Sequence, residues 1–218
     1  MAVRFSLLAL AAGALVLPGT LRAQVAGLPV RNAGIGTGIG IAADVGFPNG
    51  DAGKGTAFGA TGQVGLGPFG VTASVARWNR SAGEDLTSVG GTLNLKVFGG
   101  PLIPLAITMQ GGVGRYRTST IEGDRITTTH LPAGLGIALT IPNPAFSIKP
   151  WAAPRLDVLH QSGSGIVDGT RVKFGISGGI DLGFLSGLAV RAMYDRVSAG
   201  GGSHPSVLSL GIGFKVGT

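Results

Sequence analysis

The chain has no cysteine in its 218 residues, which removes disulfides and thiolate metal sites from the chemistry open to it. Charge is scarce as well: 12% of the residues are Asp, Glu, Lys or Arg, about half the share of a soluble globular domain. The basic residues outnumber the acidic ones, for a formal net charge of +7. They are scattered, and no Lys/Arg run interleaved with aromatics appears, which argues against nucleic acid as a partner. Beyond the N-terminus no stretch offers some 18 uninterrupted apolar residues, so the mature chain has no candidate spanning helix. What the sequence does have is glycine, 41 residues of it, in a chain that is apolar on average, with mean hydropathy +0.41. A soluble core built from this mixture is short of packing volume. A membrane barrel resolves both features, because its apolar side chains face lipid and its interior can be small and polar.

Residues 1–23 read as a cleaved secretory signal peptide. Arg4 supplies the positive start, Phe5 to Leu17 the apolar run, Pro18 and Gly19 the break, and Leu21-Arg22-Ala23 a cleavage site ahead of Gln24. The remainder, 24–218, reads as one β-barrel domain. After a short arm from Gln24 to Ala33, the stretch Ile35 to Phe47 sets the pattern. Ile35, Thr37, Ile39, Ile41, Ala43, Val45 and Phe47 fall on one face of a strand, and Gly34, Gly36, Gly38, Gly40, Ala42, Asp44 and Gly46 on the other. Nine further segments repeat it. Longer polar loops follow the odd strands, including Arg117 to Thr128 and His160 to Thr170, and short Gly/Pro turns follow most even ones. The expected fold is all-β, a transmembrane up-and-down antiparallel β-barrel of about ten strands, with eight or twelve as alternatives.

The sparse face places Asp44, Lys96, Lys149, Arg155, Asp157, Asp181, Arg191, Asp195 and Lys215 toward the lumen as a polar network. Mixed signs suggest ion pairs that plug or steady the bore. An excess of bases over acids suggests an anion-favouring channel instead, with the wall glycines leaving room for water. Aromatics gather near the strand ends as two girdles, Phe69, Phe146, Phe184 and Phe214 toward the turns and Phe47, Phe58, Phe174 and Tyr194 toward the long loops.

In this pattern the chain resembles the small bacterial outer-membrane β-barrel proteins. The resemblance covers the signal peptide and essentially all of the mature chain, and it rests on alternation, not on a residue-specific motif. It implies residence in the outer membrane, contact with the lipids of that membrane, and recognition by the barrel-assembly machinery through the C-terminal strand, where Leu208, Leu210, Ile212 and Phe214 alternate. The chain departs from the family's habit of an aromatic last residue by continuing through Lys215-Val216-Gly217-Thr218.

For function, a structural or small porin-like barrel is expected, with a surface hydrolase or lipid-modifying barrel enzyme as the alternative and a soluble exported binding barrel as a second. His130, His160 and His204 all fall at or near the long-loop end, where Asp157, Asp168 or Glu122 offer acid partners. No ligand-pair spacing is present, so no metal, cofactor or catalytic residue is expected. Gly65 to Gly70 matches GxGxxG in form, but it sits on a tight strand reversal with no helix to receive a phosphate.

Overall fold

The computed structural model describes residues 25–100, 103–119, 125–163, 167–199 and 201–217. The expected signal peptide lies outside the described residues. Eleven strands run in chain order: β1 (Gly38–Pro48), β2 (Gly55–Leu66), β3 (Phe69–Arg80), β4 (Leu86–Phe98), β5 (Leu105–Ser119), β6 (Arg125–Leu139), β7 (Ile141–Pro142), β8 (Phe146–Gly163), β9 (Gly169–Phe184), β10 (Leu188–Val197) and β11 (Ser206–Val216). All pairings are antiparallel between sequence neighbours, β1 pairs with β11, and β6 pairs with β8. The sheet therefore closes into a ten-stranded barrel, with the two-residue β7 as a short ribbon on β8. Closure leaves no strand edge with unpaired backbone groups in lipid.

Alternation holds along each wall. Ile39, Ile41, Leu66, Leu93, Val113, Ile137, Ile176, Leu210 and Ile212 are exposed on the outside, while Asp44, Thr92, Gln110, His130, Asp157 and Asp195 are buried inside. Among the described residues the buried apolar side chains form three separate small clusters, not the continuous core of a soluble barrel. The strand ends differ from expectation on the long-loop side. Arg117 and residues 125–128, expected in a loop, extend β5 and β6, because Tyr116, Ile126 and Thr128 keep pointing inward and remain buried. Likewise β8 runs to Gly163 and β9 starts at Gly169, so His160 and Thr170 face each other across a ladder. Pro150 and Pro154 lie within the continuous β8. The β6–β8 ladder skips from Gly134–Arg155 to Ile137–Ala152, so Pro154 sits where that ladder is interrupted and a missing N–H costs least.

The largest departure is the arm. Residues 25–36 run down the inside of the barrel, and β1 begins only at Gly38. Ile35, expected on the lipid face, is buried in the lumen. Val25, Ala26 and Leu28 pack against Ala57, Ala76, Trp78, Leu86 and Tyr116 near the long-loop end. Ala33 packs with Ala138, Trp151, Ala153 and Met193 farther down. The glycines of the inner wall make room for this chain rather than for water. A Cβ on Gly70 would lie 2.7 Å from the Cβ of Ile35, and one on Gly136 would lie 2.6 Å from Cγ of Asn32. Burying Val25, Leu28, Val30 and Ile35 contributes roughly 1.5–3 kcal/mol apiece, against which stands the entropy of ordering the arm.

Candidate functional site

The polar features of the molecule converge on the seam between wall and arm. Asp195 on β10 is fully buried; its Oδ2 accepts the Val30 amide at 2.9 Å, and its Oδ1 accepts Arg155 Nη2 at 2.8 Å. Arg155 also donates from Nε to Asp157 Oδ1 at 2.9 Å, where His130 Nε2 arrives at 2.8 Å. One guanidinium thus joins two carboxylates, and one of those carboxylates holds the arm. Arg155 on β8 crosses β9 over its partner Gly175 and reaches diagonally to Asp195 on β10, which itself pairs with Ser177; a Cβ on Gly175 would stand 2.8 Å from Arg155 Cζ.

Asp44 and Arg191 repeat the device. Both pair with Gly211 of β11, Asp44 from β1 and Arg191 from β10. Arg191 donates to both carboxylate oxygens, with Nε to Oδ1 at 2.7 Å. The bidentate fork suits a planar carboxylate, and it spans a glycine strand instead of joining adjacent walls. Asp181 takes the third position: it pairs with Arg31 of the arm and accepts Trp151 Nε1 at 3.3 Å. Gln110 Nε2 ties the Arg31 carbonyl at 2.9 Å and Asn94 Oδ1 at 3.1 Å, and Asn94 continues to Thr92 at 2.9 Å. Arm residues 26, 30 and 31 are thereby held from three sides, since Ser88 Oγ accepts the Ala26 amide at 2.9 Å.

Lys96, Lys149 and Lys215 are half-buried and form no ion pair among the described residues. They lie toward the short-turn end, where Lys215 Nζ comes close to Gly36 of the arm. The cavity left between arm and wall, lined by Arg31, Asp44, Gln63, Gln110 and Arg191, has about 40 Å³ of free space, little more than one water needs.

The three histidines separate. His130 is 1% exposed inside the barrel, not on a loop, because it stands on the inward parity of β6. Its contact with Asp157 has the form of an acid–base pair, but no solvent reaches it. His160 is exposed and meets Thr170 Oγ1 at 3.1 Å. His204 belongs to an outer latch: its amide donates to Asp51 Oδ2 at 2.8 Å, and its carbonyl accepts Asn49 Nδ2 at 3.2 Å. Asp168 is exposed, and Glu122 lies outside the described residues. Among the described residues no group of three His, Asp or Glu side chains is placed to hold a metal.

On the outer surface, Phe47, Phe58, Phe174 and Tyr194 are exposed toward the long-loop end, and Phe69, Phe184 and Phe214 toward the turn end, with Phe146 half-buried. Phe98, absent from the sequence reading, is also exposed near the turns. Between these levels lie the exposed Ile, Leu and Val side chains of every long strand. A closed wall that is apolar outside and filled with paired charges inside has one stable solvent, hydrocarbon around it. This is the architecture of a transmembrane β-barrel.

No protein-family model matches the barrel's sequence, and no curated protein does. Among solved structures it is similar to the translocator domain of the autotransporter NalP from Neisseria meningitidis, at 14% identity over 82% of this chain and 89% of that one, with a TM-score of 0.44. It is similar to the outer membrane enzyme PagL at 14% identity, covering 81% and 99% with a TM-score of 0.41. The KdgM porin shares 8% identity over 82% and 99%, with a TM-score of 0.37.

Arm residue Arg31 was not among the sequence candidates. The signal for it was indirect: a lone cation in an otherwise apolar segment, ahead of strands whose inner face was too bare to fill a bore.

Proposed function

We propose that the protein is a structural outer-membrane barrel sealed by its own N-terminal arm, not an open pore. The observation that carries this is the course of residues 25–35 through the lumen, with the Val30 amide and the Arg31 guanidinium bound to Asp195 and Asp181 of the wall. A ten-stranded bore is close to the size that side chains alone fill, and an extended segment against glycine walls fills this one. The last strand presents Leu208, Leu210, Ile212 and Phe214 outward, which supports its proposed role as the segment read by the assembly machinery.

Planar-bilayer recording tests the reading. The intact folded chain is expected to give no steady current, whereas a variant lacking residues 25–36, checked for folding by its heat-dependent gel shift, is expected to conduct. A steady ohmic current from the intact chain would overturn it.

A further inference from the structure

The outward face of β5 climbs from Gly111 through Val113 to Arg115 and Arg117, all exposed. On the paired strand β6, Arg125 is exposed opposite Ser119, diagonal to Arg117. Diagonal positions on antiparallel neighbours stand about 7–8 Å apart, and alternate residues on one strand are nearly as close. The three arginines therefore form an ascending row on the outer wall: Arg115 is the next outward residue after Val113, which is level with Leu131, and Arg117 and Arg125 follow one and two outward steps higher. None of the three has an ion-pair or hydrogen-bond partner among the described residues. Arg77 on β3, at the same side of the barrel, is already paired with Asp85 at 3.0 Å.

Directly below the row the wall is hollow. A depression of about 410 Å³ opens to the outside over Val71, Gly91, Leu93, Gly111 and Val113, and a Cβ on Gly111 would meet nothing within 4 Å. Cationic forks over an apolar groove, on the lipid side of a membrane wall, match a molecule with anionic oxygens at one end and a hydrocarbon chain at the other. The larger depression of about 800 Å³, over Ala43, Ala60, Gly62 and Ala73, lacks this combination. Above it stand Phe47, Phe58 and, opposite Phe58, Arg77; the rings suit an interface but hold no anion, and Arg77 is already engaged by Asp85.

We propose that Arg115, Arg117 and Arg125 bind the phosphorylated headgroup of one outer-leaflet lipid whose acyl chain lies in the Gly91–Gly111 groove. Arginine forks bind phosphate bidentately and keep their charge at the interface. The arginines supply the selectivity for phosphate, and the groove supplies the preference for a lipid over a free anion.

The test uses the folded full barrel in detergent micelles, titrated with bisphosphorylated lipid A, with its dephosphorylated counterpart and with inorganic phosphate, and read by native mass spectrometry. The bisphosphorylated lipid is expected to bind the intact barrel, and the dephosphorylated one to bind far more weakly. Replacing Arg115, Arg117 and Arg125 together by Gln is expected to lower affinity roughly a hundredfold, at about 1 kcal/mol for each cation near the surface. Gly111→Leu, which fills the groove without touching the cations, is expected to weaken lipid binding severalfold, while Ala60→Leu in the other depression leaves it unchanged. Equal binding of the two lipids, or a triple variant that binds like the intact barrel, would overturn the proposal. So would inorganic phosphate that displaces the lipid while Gly111→Leu has no effect, since that describes an anion site alone. The heat-dependent gel shift verifies that each variant is folded.

Discussion

Arg155→Met tests whether the lumen is held by charge. Arg155 is 4% exposed and gives one hydrogen bond to each of two carboxylates, Asp157 and Asp195, which are themselves 1% and 0% exposed. Hydrogen bonds to charged groups contribute roughly 1.5–3 kcal/mol each, and removing one member of a buried ion network costs about 3–5 kcal/mol because the remaining charges stay buried. Asp157 keeps His130 and Asp195 keeps the Val30 amide, so a loss of about 4 kcal/mol is the expected outcome. Urea unfolding in lipid vesicles reads it, and the only two tryptophans, Trp78 and Trp151, are both buried in the lumen and report on its opening. With an m-value of about 2 kcal/mol/M the midpoint falls by about 2 M. Arg155→Met combined with Asp157→Asn and Asp195→Asn keeps the acceptor oxygens for His130 and Val30 while removing the charges, and recovers at least half of the loss. A single variant that loses less than about 1 kcal/mol, or a triple variant less stable than the single, would refute the reasoning.

Leu93, 68% exposed on β4, faces the hydrocarbon, and Leu93→Arg lowers unfolding free energy in vesicles by about 2–4 kcal/mol; a neutral effect would place that face in water. Gly211→Val puts a branched side chain between Asp44 and Arg191, where even a Cβ stands 2.9 Å from Arg191 Nε, and costs about 1–3 kcal/mol by the same unfolding assay. Asp44→Ala and Arg191→Ala are coupled in a double-mutant cycle by about 1–3 kcal/mol, and additive single losses would show that the fork does not act as a pair. Arg31→Met removes the arm's pairing with Asp181, which keeps Trp151 and its ladder neighbours Lys149 and Arg191, and intermittent current steps in bilayers are the expected sign of a loosened arm.

The wall was legible in the sequence because a strand that meets lipid on one side and a narrow bore on the other must alternate, a rule broken at the β4 bulge where Val97 and Phe98 are both exposed. Ile39, Ile41 and Val45 against Gly40, Ala42 and Asp44 already contain that rule, and Asp44, Arg155, Asp157, Asp181 and Asp195 are buried at inward positions of the same alternation. Two things were not legible. Strand ends beyond the lipid obey no hydropathy rule, so the charged Arg117 and Arg125 looked like loop residues, and only the buried Tyr116 and Ile126 beside them extend the ladder. The arm was hidden for a different reason: it has no periodic partner of its own, and its contacts are to residues up to 165 positions away, as between Val30 and Asp195. Its imprint lay in the wall, as glycine at inward positions, and such an imprint is ambiguous between room for water and room for a chain.

The glycines also explain how the ion pairs can exist at all. In a narrow barrel a carboxylate and a guanidinium on next-but-one strands meet only if the strand between them projects nothing into the bore. Gly211 does this for Asp44 and Arg191, and Gly175 lets Arg155 cross β9 and reach diagonally to Asp195, beside the small Ser177. The same absence of side chains leaves the centre of the barrel without packing atoms, a void that would forfeit dispersion contacts on every side. The arm fills it with backbone and small apolar groups, and the carboxylates drawn together across the glycines then serve as its anchors, Asp195 for Val30 and Asp181 for Arg31. Wall, charges and plug are therefore mutually dependent. Replacing Gly70 or Gly136 by a larger residue is accordingly expected to do more than crowd one contact: by lifting the arm it leaves Asp195 without the Val30 amide and Asp181 without Arg31, and the cost exceeds the about 1–3 kcal/mol of ordinary overpacking.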